Sequence, residues 1–244
     1  PWADEVEALL AERARGDAGG TPDVELPAHL SASRLVQLAA DPAALALAVR
    51  RPVPVQPRVA TRRGVAFHAW LEERFRSSAL LDLDQEPDED DTDAGGADET
   101  GPGDGLGPLG DDEEALAALQ ESFLASEWAH REPVAVEVDL ETPVAGLVVR
   151  CRVDAVFPRS QAEGGGVDVV DWKTGRPPTG AAARAAAVQL AVYRLAWSRW
   201  KGVPLERVGA AFFYATTGTT SRPTDLLDAA GLEALVRGAA SPSP

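Results

Sequence analysis

The sequence predicts an α+β fold in which helices are followed by an antiparallel meander, a long helix and a further strand. Three observations carry that expectation. The apolar period changes from 3.6 residues to 2 near residue 134. Three β-rich runs then follow, at residues 134–140 (VAVEVDL), 146–157 (GLVVRCRVDAVF) and 167–173 (VDVVDWK), joined by connections short enough to favour a meander. Finally, 45% of the 244 residues are hydrophobic, ample for one large domain or two small ones with a real core.

Residues 2–15 (WADEVEALLAERAR) have helical spacing, with Val6, Leu9 and Leu10 on one side, before Gly16 to Pro22 breaks the pattern. Residues 1–29 therefore read as a helix and a tether from a preceding domain. Ser31 can N-cap a helix running through Ala40, with Leu35, Val36, Leu38 and Ala39 as its apolar side, and Asp41-Pro42 opens another. Pro52, Pro54 and Pro57 enforce extended chain. Residues 64–76 (GVAFHAWLEERFR) read as a strong helix whose buried stripe is Phe67, Trp70, Leu71 and Phe75.

Residues 82–112 are acidic, rich in glycine and nearly free of apolar side chains, too little to offset ordering entropy, so a disordered insertion is expected there. Helix resumes over residues 113–128. Turn signals at Thr142-Pro143 and across residues 158–166 separate the three strands of the meander. After the Pro177-Pro178 stop, residues 181–200 form a long helix, residues 208–215 (VGAAFFYA) a strand and residues 228–237 a last helix. One domain over residues 30–238 with a flexible tail at 239–244 is the resulting organisation.

The net charge of −16 looks hostile to nucleic acid, but fifteen acids and no base fall within residues 82–114, leaving −1 for the rest of the chain. Arg50, Arg51, Arg58, Arg62 and Arg63 lie in a span, residues 43–71, that holds no acid. A solvated basic face is the plain reading of that span. The absence of methionine and the initial proline read as a piece of a longer translation product. A single cysteine, Cys151, excludes a disulfide framework within the chain and leaves an iron–sulfur cluster without ligands. No basic-then-apolar leader and no run of 18 apolar residues occur, so a cytoplasmic protein without membrane spans is expected.

The chemistry gathers at the strand ends. Side-chain alternation puts Asp171 and Lys173 on one face of the third run, with Trp172 on the other, and puts Asp154 on a face with Arg152 and Val156 in the second. Folding the two runs back on each other brings Asp154 and Asp171 to one sheet edge. Two carboxylates and a lysine on otherwise apolar strands are costly unless paired or holding a cation, and a hard divalent ion such as Mg²⁺ would offset the repulsion. Beside it, Lys173 can orient or deprotonate an attacking water or stabilise charge on a phosphoryl oxygen. An ordinary Asp–Lys pair at a strand end is what Asp-x-Lys alone more commonly means.

The neighbours shift that balance. "RVDAVF" and "VVDWKTG", a helix carrying Gln189-x-x-x-Tyr193, and His68 in "RRGVAFHAW" occur in the order found in the PD-(D/E)XK nuclease superfamily, and the chain resembles its RecB-like branch. The resemblance spans about residues 30–235. It implies a restriction-endonuclease-like α/β/α fold with a central mixed sheet, and a metal-dependent deoxyribonuclease using Mg²⁺ or Mn²⁺. By the same resemblance His68, Asp154, Asp171, the Trp172 backbone carbonyl and Glu137 (in "VAVEVDL") hold the metal, Lys173 acts with Asp154 and Asp171 in catalysis, and Gln189 and Tyr193 hold the substrate strand or brace the site.

Three stretches, "LSASRLVQLAADPAALALAVRRPVP", "RRGVAFHAWLEERF" and "AAVQLAVYRLAW", resemble the C-terminal nuclease module of the AdnAB family of bacterial helicase–nucleases, AdnB-type subunits in particular. That likeness implies break-end processing, a UvrD-like motor in the same polypeptide and a second helicase–nuclease subunit. No Gly-x-x-x-x-Gly-Lys-Ser/Thr loop is present, so ATP would bind only in the absent motor.

Two other readings compete. Nuclease-fold modules can serve as non-catalytic DNA-binding or assembly parts. Lys173-Thr174-Gly175 and Ser198-x-x-Lys201 match two boxes of serine β-lactamases, but in reversed order and without Ser-Asp-Asn between them.

Overall fold

The computed structural model describes residues 2–17, 24, 26–52, 59–80 and 109–240. The Pro54 and Pro57 stretch, nearly all of the acidic insertion and residues 241–244 lie outside these described residues. Helix α1 (Trp2–Asp17) leads to strand β1 (His29–Ser31), α2 (Ala32–Ala40), α3 (Pro42–Arg50), α4 (Val59–Leu80) and α5 (Leu109–Leu124). The meander is β2 (Ala135–Val144), β3 (Leu147–Pro158) and β4 (Val167–Lys173), followed by α6 (Gly180–Lys201), β5 (Val208–Tyr214), β6 (Thr219–Ser221) and α7 (Ala229–Ala240).

The helix starts follow from their caps. Ser31 accepts from the Arg34 N–H at 3.3 Å and Asp41 from the Ala44 N–H at 2.9 Å, so polar side chains satisfy donors the helices leave orphaned. Pro42 then sits at the first position of α3, where it has no N–H to lose.

The sheet runs β1-β3-β4-β5-β6, with β2 also on β3. Antiparallel pairing joins β2 to β3, β3 to β4 and β5 to β6, whereas β1–β3 and β4–β5 are parallel, the latter joined by the α6 crossover. Because β2 occupies one edge of β3 from Leu147 to Val156, both β1 and β4 must lie along the other edge. There β1 pairs with Val148 to Arg150 and β4 with Ala155 to Pro158, leaving a gap between them on β3.

Apolar clusters cover both faces. One packs Leu35, Leu38, Leu190, Trp197 and Leu232 of the α2, α6 and α7 layer against Val149, Val153 and Val169. The other packs Phe67, Leu71, Phe75 and Phe123 of α4 and α5 against Phe157, Trp172 and Phe213. Each fully buried side chain of this size contributes about 1.5–3 kcal/mol. The result is the expected mixed sheet between helical layers.

Several expectations shift in detail. Thr142-Pro143 is not a turn but the end of β2; the reversal falls at Ala145 (φ 50°) and Gly146 (φ 85°), a two-residue hairpin needing positive φ at both positions. β2 has a free edge among the described residues, which is where a strand tolerates proline. α5 begins at Leu109, ahead of Glu113, and stops at Leu124; a 3₁₀ turn at Glu127–His130 follows, started by Ser126, whose hydroxyl accepts from the Trp128 N–H. The short edge strands β1 and β6, three residues each, lack the length to show a period.

Candidate active site

The site sits where β4 parts from β3. Continuing their register one step past Ala155↔Val170 would set Asp154 opposite Asp171. The ladder instead stops, and the Trp172 N–H donates to Asp154 Oδ2 at 2.6 Å. Both carboxylates are buried.

A second distortion faces this fork. In the β2–β3 register Glu137 falls opposite Asp154, yet this pair is missing from an otherwise continuous ladder. Glu137 has φ 50°, a left-handed conformation that costs a non-glycine residue about 1–2 kcal/mol. Alternation slips on both strands at this point. Ala135 and Val138, three apart, pack with one apolar cluster, as do Val153 and Val156, whereas Val136 and Ala155 pack with the other. The uninterrupted alternation expected for Arg152, Asp154 and Val156 therefore does not hold along β3.

α4 brings His68 to the same point, because Phe67 and Leu71 anchor their side of the helix in the aromatic cluster and turn the next position toward the sheet edge. His68 Nε2 lies 3.1 Å from the Trp172 carbonyl oxygen, and Nδ1 lies 3.6 Å from Asp154 Oδ1 and 4.0 Å from Glu137 Oε1. One ligand atom each from His68, Glu137 and Asp154 falls within 4.8 Å of the others. Asp171 stands just outside this triad. Arg152 Nε donates to Glu137 Oε2 at 2.6 Å, orienting that carboxylate. Its part was not singled out from sequence, although an arginine two positions before Asp154 was visible there.

Lys173 Nζ is 3.1 Å from Asp171 Oδ2 and donates to Gln189 Oε1 at 2.9 Å; Gln189 Nε2 in turn donates to the Tyr193 hydroxyl at 2.8 Å. Gln189 and Tyr193 share one face of α6 because they are four residues apart. Tyr193 is only 4% exposed, so its hydroxyl faces the lysine network rather than open solvent. The Trp172 side chain points the other way, into the aromatic cluster.

Burial pushes Asp154 well above the usual carboxylate range, reinforced by the charges of Asp171 and Glu137. Burial also raises Glu137, although Arg152 pulls it back. Burial lowers His68 and raises Tyr193 well above its ordinary value, Asp171 adding to the latter. Acids held up by burial and by one another mark a site built for a charge that is not the protein's own.

The donor set fits a divalent cation. One imidazole, buried carboxylates and a backbone carbonyl suit a hard ion with oxygen ligands. Asp171 Oδ2 is buried, and the Lys173 ammonium 3.1 Å away is the one cation beside it among the described residues. The β-lactamase reading finds no such assembly. Ser198 Oγ donates to the Val203 carbonyl at the end of α6, and position 198 is nine residues, about 13 Å of helix, beyond the Gln189 that meets Lys173.

A mixed sheet between helical layers, with an acid pair and a lysine where its central strands part, defines a nuclease-fold module. Residues 29–240 match the PD-(D/E)XK nuclease superfamily, and the chain belongs to it. The structure is similar to that of a protein from Eubacterium rectale described as "Putative exonuclease", with a TM-score of 0.52 and 10% identity over 87% of this chain and 77% of that one. That likeness shows the fold alone. The structure of SSO0001 aligns with a TM-score of 0.37 and 16% identity over 96% of this chain and 84% of that one, too low to carry an argument. No curated protein matches the sequence significantly. Nucleases of this superfamily use divalent metals. No helix among the described residues is long and apolar enough to cross a membrane.

Proposed function

We propose that this chain is a metal-dependent deoxyribonuclease module that hydrolyses phosphodiesters of single-stranded DNA. His68, Asp154 and Asp171, with the Trp172 carbonyl and Glu137, hold Mg²⁺ or Mn²⁺. The observation that carries the reading is the meeting of His68, Glu137 and Asp154 within 4.8 Å beside the Asp171–Lys173 pair.

An ion bound there supplies Lewis acidity at the scissile phosphate and lowers the pKa of water. Asp154, held up by burial, would give up its proton on metal binding, which makes affinity rise with pH. Lys173 Nζ, held by Asp171 and Gln189, orients the attacking water and donates to a phosphoryl oxygen as negative charge builds on it. The water oxygen would bond to phosphorus as it loses a proton to solvent, one P–O ester bond would break, and the leaving oxygen would take up a proton from solvent, leaving a phosphomonoester and a hydroxyl. Gln189 and Tyr193 hold the lysine in place, directly or while touching the strand.

The larger setting we propose is an AdnAB-type helicase–nuclease of the bacterial cytoplasm that processes double-strand breaks. A UvrD-like motor in the same polypeptide and a second helicase–nuclease subunit would deliver the strand. Support comes from the three stretches quoted above. ATP-dependent degradation of linear duplex by the full-length polypeptide, lost in Lys173→Ala, tests that setting.

The test of the chemistry is hydrolysis of end-labelled single-stranded DNA by the full chain with Mg²⁺ or Mn²⁺, with and without chelator. Cleavage that requires the ion and disappears in Asp171→Ala is the expected result. Wild-type activity in Asp171→Ala, with contaminating nuclease excluded, would overturn the assignment.

A further inference from the structure

Beside the site lies a cleft of about 440 Å³ that the metal chemistry does not use. It opens at the carboxyl ends of the parallel strands β4 and β5, where α/β sheets commonly receive ligands. Thr174 and Thr216 belong to the turns leaving those strands, and Ala118 and Leu119 of α5 form the facing wall. Arg63 of α4 and Arg176 of the β4–α6 loop complete it, and no acid is among the lining residues.

The cleft and the site share backbone, since Thr174 and Gly175 of its lining directly follow Lys173. The Ala215 N–H donates to the Lys173 carbonyl at 2.8 Å, so the floor of the cleft is bonded to the backbone of the lysine. α4 serves both places. Gly64 runs close to the loop, since a Cβ there would meet Thr174 Oγ1 at 3.4 Å, and Arg63 and His68 are five residues apart, about 7.5 Å along the helix axis. Arg176 is exposed and makes no ion pair among the described residues, while Arg63 meets only Asp112, at 3.9 Å with both side chains partly exposed. Two guanidinium groups beside a buried acidic site, one exposed and one in a long, partly exposed ion pair, are arranged for a polyanion. The volume accommodates one nucleotide and not a duplex.

We infer that this cleft takes a nucleotide flanking the scissile phosphate of single-stranded DNA, with Arg63 and Arg176 each neutralising a backbone phosphate and Ala118, Leu119 and Ala215 walling in sugar and base. The inference rests on the nuclease reading for the identity of the strand, but its test does not depend on turnover. The basic span that sequence alone leaves as a solvated face thereby acquires a use at Arg63.

Anisotropy of a fluorescein-labelled oligothymidylate is measured with the full chain in chelator over a range of salt concentrations. Arg63→Ala/Arg176→Ala is expected to raise Kd tenfold or more and to flatten the slope of log K against log salt by about 1.4, since each single-strand phosphate contact contributes about 0.7. Arg63→Lys/Arg176→Lys should restore the slope, because the charge returns without the planar fork. Unchanged Kd and slope in the alanine pair would overturn the inference. Arginine-dependent binding without cleavage in Mg²⁺ or Mn²⁺ would keep the cleft and sink the nuclease reading; cleavage with arginine-independent binding would do the reverse.

Discussion

Trp172 gives its backbone N–H to Asp154 Oδ2 at 2.6 Å, so the ladder between β3 and β4 ends on a carboxylate where a carbonyl would ordinarily continue it. The same tryptophan turns its carbonyl to His68 and its indole into the aromatic cluster. One residue thus fixes the acid, faces the imidazole and anchors the strand.

Asp154→Asn keeps an acceptor for the Trp172 N–H while removing a buried charge that Asp171 and Glu137 oppose. The metal-free protein should gain about 1 kcal/mol, read as a Tm increase of about 2–4 °C in chelator, and lose cleavage altogether. A lower Tm than wild type would mean that the Asp154 charge is not a burden on the fold.

The pH dependence follows from the same burial. Asp154 and Glu137 are held above their unfolded values near 4, so the native state binds more protons and metal-free stability falls as pH rises. The penalty is absent below about pH 4 and grows as pH climbs through the raised folded values. Urea unfolding in chelator at pH 5 and pH 8 should show wild type declining more than Asp154→Asn. Parallel declines would remove Asp154 as the cause.

Gln189 and Tyr193 separate two roles. If they brace Lys173 through the 2.9 and 2.8 Å bonds, Tyr193→Phe lowers kcat by about tenfold and leaves KM for DNA unchanged. A raised KM with normal kcat would instead make them strand-holding residues.

Glu137 offers a backbone test. At φ 50° glycine is relaxed and alanine is strained, so Glu137→Gly should be more stable than Glu137→Ala by about 1 kcal/mol, the reverse of ordinary strand preference. Chemical denaturation of the two variants decides it; alanine equal to or better than glycine contradicts the strained conformation.

Much of this was legible beforehand because the relevant signals are local. Ser31 and Asp41 announce their helices by side-chain chemistry, and alternation along residues 167–173 correctly separates Asp171 and Lys173 from Trp172. What escaped depends on pairing. The slip at Glu137 and Asp154 breaks the alternation that the reading assumed, and its cause, a positive φ on a glutamate, leaves no mark in composition. The strands β1 and β6 exist only because β3 and β5 offer open edges. Arg63 was visible as charge, but its place beside Arg176 required α4 to be packed against the turn after β4.

The most direct measurement is anomalous scattering from crystals of the chain soaked in Mn²⁺. A single manganese peak, or a pair, coordinated by His68 and Asp154 with the Trp172 carbonyl and lost in Asp154→Ala crystals, is what the account predicts. No peak at that position, in a protein that nonetheless cleaves DNA with Mn²⁺, would contradict it.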